Sequence, residues 1–584
     1  MTGNPPPKDD SPVAPEDVTE KTTLKESDSQ GNLSSVEPEL ESEKEKEKEQ
    51  TPKPKREAIG RTFGLVALVT FLSKFVGLAR DIAILYIFGT STITDAYYFA
   101  YLLTGNILVL FGGLGGPFHS AAVSIITPYR DKEETGKLIS QILLTTGAFL
   151  SVIAIAVYAL APYIVSTVTP GADKEAVLTA LNIMTPLIVI AGLVGAGAGI
   201  SNVYKIYFWP SIAPAVASIA IIAGVFLFPD KNTGVICLAT ATLAGAFGQF
   251  LVQMPGIFKA NPKMPGFPKI APGLKAYLFM LGPAAIATTI GQLNIYIDAY
   301  FVSQLEHGSY TALLNANRLI QLPLGVLLTA MIVPILPRFS EQVAAKEIDE
   351  LKAEFRRALR VLWFLVLPLV GLLFSMAGPV VELLFQRGNF DENSRNMVVL
   401  ALSFLIPSVF FYVARDLLTR VFYAHQDSTT PFRIGLAAIG VKALSDYLLV
   451  GPLGLGGIAL STTLTTIFNM IMLTTFCTKK IGSLHLASLV KPAMIMVIAS
   501  LVSSGAAYFI QAHLETLLAT LLPSLGSAST SIIHFISLAA SITVAAVIAL
   551  SLYIMMCMAA RLEEPTLAYK KLEQLVKRKV AKRK

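Results

Sequence analysis

The sequence predicts an all-α integral membrane protein with about fourteen membrane-spanning helices. Three observations lead to this fold class. The 584 residues are 53% hydrophobic and only 15% charged, whereas soluble domains carry about 25% charged residues. Apolar runs long enough to cross a bilayer recur from Arg61 to about residue 560. The loops between these runs are alternately rich and poor in lysine and arginine, as the positive-inside rule predicts for a multi-pass protein.

Residues 1–57 precede the first apolar run. They are rich in Pro, Ser, Glu and Lys and contain no aromatic residue. Such a composition offers little apolar surface to bury, so we predict a disordered cytoplasmic tail.

The apolar runs define the predicted spans. Their limits are 62–89, 95–126, 136–166, 175–201, 207–229, 233–257, 275–305, 309–337, 353–384, 394–422, 429–450, 454–478, 487–512 and 530–560. Basic residues concentrate in alternate loops and in the C-terminal residues 563–584. The positive-inside rule therefore predicts that both termini are cytoplasmic, with 563–584 a basic cytoplasmic tail.

The segment 259–273 divides the chain after the sixth predicted span. It is rich in Pro, Lys and Gly, which predicts a cytoplasmic linker. Because six is an even number, a second half at 274–480 would enter the membrane in the same orientation as the first half at 58–258. Two such halves would be parallel repeats about an axis along the membrane normal.

A charged stretch lies inside the first predicted span. On a helix, Ser73 and Arg80 share a face, and Lys74 and Asp81 line the neighbouring stripe. A charge inside the membrane costs several kcal/mol unless it faces a partner or a wet cavity, and such charges are commonly functional. We therefore interpret Ser73, Lys74 and Arg80 as a cationic lining that binds an anionic group. The alternative is that Arg80 and Asp81 neutralise each other and only help assembly.

Arg318 lies in the eighth predicted span, close to Asn315. By helical rise its depth nearly matches that of Arg80. Guanidinium groups bind phosphate oxygens bidentately, so two arginines from opposite halves at one level would form a clamp for a diphosphate. The alternative is that Arg318 pairs with an acid such as Asp298.

Further charges lie in the later spans. Lys442 and Asp446 are four residues apart in the eleventh span and can pair on one face, with Asp298 as a candidate third member. We assign Thr462, in the next span, to the same group. Several oxygen ligands would suit a cation, but here an ammonium already stands among them. A purely structural buried pair is the alternative. Arg415 and Asp416 are predicted to form a further intramembrane pair.

The sequence predicts neither catalysis nor a cofactor. The glycine-rich runs lack the GxxxxGK[ST] phosphate-binding pattern, and the three cysteines lie far apart in apolar runs. We find no nucleophile elbow, metal cluster or paired catalytic carboxylates, so we predict no metal site. The basic residues report topology and not nucleic-acid binding. The run Gly192–Gly199 predicts close helix packing.

Several segments carry distinctive strings. They are Phe71–Asp81 with Phe88-Gly89 and Thr94-Asp95-Ala96, Asn317–Leu319 with Pro323–Val326, Leu384–Asp391, Val421–Arg433 and Gly454–Leu460. The strings LFQRGNFD and FYAHQDSTTP are the most specific of them. Together these segments resemble the MurJ (MviN) lipid II flippase family.

The resemblance implies a fold and an activity. The fold is two pseudo-symmetric six-helix lobes, 58–258 and 274–480, plus two extra C-terminal helices at 481–562, as in the wider multidrug/oligosaccharidyl-lipid/polysaccharide exporter superfamily. The activity is alternating-access transport of lipid II or a related polyprenyl-diphosphate glycan across the bacterial cytoplasmic (inner) membrane. A groove by the last two helices would take the polyprenyl tail. Membrane lipids and cell-wall synthesis proteins are the expected partners.

The resemblance also implies roles for individual residues. Arg80, Arg318 and Asp95 match the family's cavity residues, and Lys74 stands where an arginine is usual. With Ser73 and Asn315 they form the predicted substrate-binding set. Two alternatives stay open, which are an exporter of another lipid-linked glycan and a non-transporting scaffold of envelope assembly.

The chain departs from the family at two places. Typical members carry an arginine pair and an acid in the second span, but Ile107–Gly116 has no charge. Lys442 stands where sodium-binding members have Asn, four residues before the Asp that matches Asp446. The first departure weakens the case for the usual substrate. The second predicts that Lys442 substitutes for the ion, and sodium-dependent transport that survives unchanged in a Lys442→Met variant would contradict it.

Overall fold

The computed structural model describes residues 56–112, 116–130, 132, 134–260, 271, 273–281, 292–332, 335–521 and 530–566; its side chains are described from residue 69 onward, except in 106–112, 326–332 and 530. Contacts group Leu65–Lys584 into one compact unit and Met1–Gly64 into another, and the fold below is that of the larger unit. Almost all of the predicted tail 1–57, most of the linker 259–273 and most of the basic tail 563–584 lie outside the described residues.

Helices account for all the regular secondary structure in the described residues. In the N-terminal half they are α1 (Arg56–Phe88), α2 (Thr92–Gly112), α3 (Pro117–Ile126), α4 (Thr135–Val168), α5 (Lys174–Met184), α6 (Leu187–Val203), α7 (Phe208–Leu227) and α8 (Gly234–Lys259). Residues 274–281 are also helical.

The C-terminal half and the last two helices continue the pattern. They are α9 (Leu293–Val302), α10 (Ser309–Ile332), α11 (Ile335–Ala344), α12 (Ile348–Ser375), α13 (Ala377–Phe385), α14 (Glu392–Leu405), α15 (Ser408–Ala424), α16 (Thr429–Leu453), α17 (Leu455–Ile481), α18 (Ala487–Leu521) and α19 (Thr530–Ala559). The α18–α19 hairpin packs against α12.

The helices are long and apolar enough for a multi-pass membrane protein. Among the described residues, 8 helices could cross a membrane, or up to 10 if each of two bent pairs is one span. The predicted spans 62–89, 95–126, 275–305 and 309–337 each include residues whose side chains lie outside the described set. The all-helical membrane architecture is therefore confirmed, while the count of about fourteen spans and the two-lobe arrangement stay predictions.

The two bent pairs share a physical cause. Lys174–Met184 meets Leu187–Val203 at 41°, and Glu392–Leu405 meets Ser408–Ala424 at 47°. Pro186 and Pro407 are the N-cap residues of the second helix in each pair. Proline lacks the backbone N–H that would continue the preceding helix, so the break falls there. These helices are the fourth and the tenth predicted spans, so the fourth span of each predicted half carries the same break.

The glycines of α6 permit the close helix packing that the sequence predicted. A Cβ on Gly199 would lie 2.7 Å from the carbonyl oxygen of His119 on α3. A Cβ on Gly192 would overlap the Leu150 side chain on α4. Larger residues at these positions would force the three helices apart.

Candidate functional site

Two arginines from opposite halves meet on one carboxylate. Arg80 on α1 donates from Nε to Asp81 Oδ1 at 3.0 Å, and its Nη2 lies 2.9 Å from the same oxygen. Arg318 on α10 reaches that oxygen with Nη1 at 3.0 Å. The Asp81 side chain is only 6% exposed, whereas those of Arg80 and Arg318 are 22% and 29% exposed. We call Arg80, Asp81 and Arg318 the arginine cluster.

Tyr98 and Asn315 position Arg318 within the cluster. The Arg318 Nη1 donates to the Tyr98 hydroxyl at 3.3 Å and to Asn315 Oδ1 at 3.5 Å. Its Cζ stands 5.0 Å over the Tyr98 ring, a cation–π geometry. Asn315 is itself fixed, because its Nδ2 donates to the Thr311 carbonyl at 2.8 Å. The sequence predicted Asn315 but not Tyr98.

The charge of the cluster suits an anion. Two guanidinium groups and one carboxylate leave one positive charge in excess. The partners of Arg318 among the described residues all contact Nη1, which leaves Nη2 and Nε as donors for a ligand. The sequence left open whether Arg80 pairs with Asp81 or lines a binding site. The structure shows the pair and leaves both arginine side chains partly exposed, and the binding role stays a prediction.

Asp298 is not the partner of Arg318. The sequence offered this pair as an alternative, but Arg318 pairs with Asp81, and Asp298 contacts Lys442. The rotation of α10 about its axis determines which acid Arg318 contacts. This rotation cannot be read from the spacing of residues along the chain.

Ser73 and Lys74 lie on α1 before the arginine cluster. Lys74 is exposed and Ser73 is half-buried. The Lys74 Nζ lies 3.7 Å from the position that a Cβ on Gly325 of α10 would occupy. Lys74 and Gly325 are six and seven residues from Arg80 and Arg318, or roughly 10 Å along each helix. A second positive charge therefore lies between the same two helices, further along them.

Asp95 lies apart from the arginine cluster and binds the start of α10. Its Oδ2 accepts from the Gly308 N–H at 2.6 Å, and its Oδ1 accepts from the N–H and the hydroxyl of Thr311 at 2.9 and 2.6 Å. The carboxylate is buried. It satisfies the free N–H groups of a helix N-terminus and complements the helix dipole. Asp95 was predicted in the substrate-binding set, and in this structure its oxygens join α2 to the start of α10.

Residues of the LFQRGNFD string pack against the backbone at the end of α1. The Asn389 N–H donates to the Tyr86 carbonyl at 2.9 Å. A Cβ on Gly388 would overlap that same carbonyl oxygen, and a Cβ on Gly89 would overlap the Asn389 carbonyl. Both glycines have positive φ, +61° and +62°. Only glycine combines this backbone conformation with so close an approach.

Further contacts lie beside this packing. The Thr90 hydroxyl donates to Ser394 Oγ at 2.5 Å, and a Cβ on Gly308 would lie 2.8 Å from the Thr90 carbonyl oxygen. The Gly171 N–H donates to Ser303 Oγ at 3.4 Å. We call the meeting of residues 86–95 and Gly171 with 303–311 and 386–394 the interhalf contact.

A second charged group surrounds Lys442. Its Nζ lies 2.9 Å from Asp446 Oδ1, donates to Ser461 Oγ at 3.0 Å and to the Ile458 carbonyl at 3.3 Å, and contacts Asp298 Oδ1. Lys442 and Asp446 are buried. The structure brings Lys442, Asp446 and Asp298 into contact, and an ion-coupling role for them stays a prediction.

The remaining predicted members and pairs lie differently. Thr462 donates to the Ile458 carbonyl at 3.3 Å and so touches the Lys442 group only through that oxygen. The predicted Arg415–Asp416 pair is wrong. Asp416 pairs with Arg420 at 3.7 Å, and Arg415 stands 4.3 Å over the Tyr412 ring. Asp416 and Arg420 are four residues apart and share a helix face, and Asp416 takes that partner.

Two motif aspartates accept hydrogen bonds from the first turns of helices, outside the predicted spans. Asp391 accepts from the Ser394 N–H at 2.8 Å, and this bond lowers the pKa of its carboxyl. Asp427 accepts from Lys480 Nζ at 2.6 Å and from the Thr430 N–H at 2.9 Å. Chiefly through the Lys480 bond, its pKa falls to about 2. These residues order the ends of α14 and α16 and do not belong to the arginine cluster.

Sequence reasoning missed three polar residues of these sites. Tyr98 lies three residues after Asp95, on the same face of α2, which was an available signal. Thr311 and Ser461 gave no such signal, because their partners are 216 and 19 residues away along the chain.

Comparison with known proteins gives consistent matches. A family model described as "Lipid II flippase MurJ" matches residues 84–528. A Synechocystis protein named "Probable lipid II flippase MurJ" is 33% identical over 72% of this chain and 82% of that protein. The "Lipid II flippase MurJ" of Burkholderia cenocepacia is 31% identical over 69% of this chain and 81% of that protein.

Solved structures share the fold. One described as "Lipid II flippase MurJ, inward closed conformation" covers 85% of this chain and 99% of its own, with a TM-score of 0.68 at 21% identity. An inward-facing MATE-family multidrug transporter of the MOP superfamily covers 72% of this chain and 98% of its own, with a TM-score of 0.56 at 15% identity.

Proposed function

Because the chain belongs to the MurJ lipid II flippase family, we propose that it moves lipid II from the inner to the outer leaflet of the cytoplasmic membrane by alternating access. The observation that carries this proposal is the meeting of Arg80 and Arg318, from opposite halves, on the buried Asp81. A polyprenyl-diphosphate glycan presents clustered phosphate oxygens, which guanidinium groups bind bidentately.

Asp81 acts in this proposal as the counterion of the empty site. An arginine inside the membrane without an acid is destabilised, so Asp81 holds both side chains in place between transport events. An incoming diphosphate competes for the same N–H groups and brings more negative charge than one carboxylate. Release on the other side returns the arginines to Asp81. Lys74, further along α1 and α10, adds positive charge on the path of the headgroup.

The interhalf contact serves in this proposal as the closed gate. Both termini are placed in the cytoplasm by the positive-inside rule, which puts the interhalf contact at the outer face. The site would then be reached from the inside in this conformation. Transport requires the interhalf contact to open while the halves close at the inner face. Asp95 takes the role of a gate residue, since its carboxylate joins α2 to α10.

The test is rescue of a bacterial strain depleted of its own lipid II flippase. Wild type is expected to restore growth, and Arg80→Ala and Arg318→Ala at equal expression are expected to fail. Arg415→Ala is the matched control, because it removes an arginine of α15 that stacks on Tyr412 outside the cluster. Purified wild type should also bind lipid II, and both cluster variants should bind it more weakly.

Two results would contradict the proposal. Rescue by either cluster variant would remove that arginine from the substrate path. Failure of well-expressed, correctly inserted wild type, together with absent lipid II binding, would favour another lipid-linked glycan as the substrate. Contact with cell-wall synthesis proteins stays a prediction.

A further inference from the structure

The group around Lys442 has the composition of a cation site. Two carboxylates, one backbone carbonyl and one hydroxyl surround a single point inside the C-terminal half. They come from α9, α16 and α17. Oxygen sets of this kind bind metal cations in proteins. The resemblance implies a sodium ion at these positions in some relatives, so the fit of this chain to such an ion can be examined directly.

The residues present do not fit a free ion. The Lys442 ammonium is buried and lies where the oxygens converge, 2.9 Å from Asp446 and 3.0 Å from Ser461. A metal ion entering the same point would lie against a positive charge in a medium of low dielectric constant, where repulsion between cations is strong. Moving Lys442 aside would leave a buried ammonium without partners, which is strongly destabilising.

The oxygens nevertheless outnumber what one ammonium can satisfy. An ammonium has three donors, whereas this group offers four acceptor residues and two negative charges. Asp446 Oδ2 and Asn294 Oδ1 are buried and have no hydrogen-bond partner among the residues that the structure describes. Asn294 lies four residues before Asp298, on the same face of α9. The site therefore has the excess of oxygen typical of a cation cage.

We propose that the Lys442 ammonium is the permanent occupant of this cation cage, so that the chain binds no exchangeable sodium there and transports without a sodium gradient. The transport part rests on the proposed function, whereas the binding part does not. The driving force must then come from another source, such as the membrane potential or the substrate gradient.

The Lys442 ammonium, as a permanent occupant, also holds α9 in place. Asp298 on α9 is held by Lys442, and Ser303, just after the end of α9, accepts from Gly171 in the interhalf contact. The tethered charge thus holds a helix that runs from the cation cage to the interhalf contact. A free ion would leave this helix dependent on the surrounding salt, and a covalently attached ammonium does not.

The first experiment measures the thermal unfolding of purified wild type in NaCl, KCl and choline chloride at equal ionic strength. We expect the same Tm in all three salts. A rise in Tm that is specific to sodium and saturates with its concentration would overturn the proposal. Because no lipid substrate is present, failure here is distinct from failure of the proposed transport function.

The second experiment removes the ammonium from the cation cage. Lys442→Asn replaces the ammonium by an amide, whose oxygen is a cation ligand. We expect this variant to gain a sodium-specific rise of about 2 °C in Tm, since a ligand that binds only the folded state stabilises it. Lys442→Asn/Asp446→Asn should lose the gain. Lys479→Asn, at an exposed lysine on α17, is the matched control and should show none.

A folded Lys442→Asn variant that ignores sodium would overturn the idea that the cage suits a cation. If that variant does not fold, the wild-type salt comparison still decides whether the site exchanges sodium. For transport, rescue of the depleted strain by wild type should be equal in sodium-depleted and sodium-replete medium.

Discussion

Substitution of Gly388 by alanine should weaken the interhalf contact, and the size of this loss follows from the structure. The new Cβ would overlap the Tyr86 carbonyl oxygen and lie 2.9 Å from Tyr86 Cδ2. Relief of the overlap breaks the bond from the Asn389 N–H to that carbonyl, worth about 1 kcal/mol net. The positive φ adds about 1–2 kcal/mol of strain, but this strain persists in any state that keeps the turn. The closed state should therefore lose about 1 kcal/mol relative to the open state, roughly a fivefold shift in population.

Spin labels on each side of the interhalf contact would measure that shift. Glu175 and Glu392 are exposed and lie in opposite halves, so cysteines there can carry the labels. The native Cys237, Cys477 and Cys557 are buried, which keeps background labelling low. Distance distributions from pulsed electron resonance should gain a longer component in Gly388→Ala.

Substitutions at two other glycines serve as controls that separate the effect of steric overlap from that of backbone strain. Gly454 has a positive φ of +54°, yet a Cβ there meets nothing within 4 Å, so Gly454→Ala introduces strain alone. Gly378 has open space and no positive φ, so Gly378→Ala introduces neither. Only Gly388→Ala should lengthen the label distance. An unchanged distribution in Gly388→Ala, or an equal shift in Gly454→Ala, would refute the reasoning.

Three further predictions concern the aspartates Asp95, Asp81 and Asp427. Asp95→Asn should favour the open state by about 2 kcal/mol, because bonds to a charged group are worth about 1.5–3 kcal/mol; the same labels check it, and an unshifted distribution contradicts it. Asp81→Asn should strengthen the binding of farnesyl diphosphate by roughly 1 kcal/mol, about fivefold, because the competing charge is gone; calorimetry that finds weaker binding contradicts it. Asp427 has a pKa of about 2, below its unfolded value of about 3.9, so its contribution to stability is present above about pH 4 and is lost as the pH falls toward 2. The difference in Tm between wild type and Asp427→Asn should therefore shrink between pH 5 and pH 3, and a constant difference contradicts it.

Much of the architecture could be read from apolar periodicity and loop charge. The described residues form helices because a backbone in lipid must satisfy its own hydrogen bonds. The breaks at Pro186 and Pro407 were less visible, since a proline inside an apolar run can either kink a helix or end it.

The partners of the charged residues were harder to predict. The depth of Arg80 and Arg318 follows from counting residues, and the structure brings them together. The choice of Asp81 over Asp298 depends on how α10 is rotated, which counting does not give. The contacts of Asp95 were missed for the same reason, since its partner Gly308 is 213 residues away, just before the start of α10. The Lys442 group was predictable because Lys442 and Asp446 are four apart on one helix.

The hydrogen bond and the two tight approaches between Tyr86–Gly89 and Gly388–Asn389 involve main-chain atoms. Every amino acid except proline supplies the same N–H and C=O, so mutation of neighbouring side chains leaves this pairing intact. The two glycines have no such freedom. Gly89 and Gly388 should therefore be intolerant in a saturation library spanning residues 86–91 and 386–391, beside the buried Phe88 and Phe390 and the capping Asp391, although glycine has no side chain to make a contact.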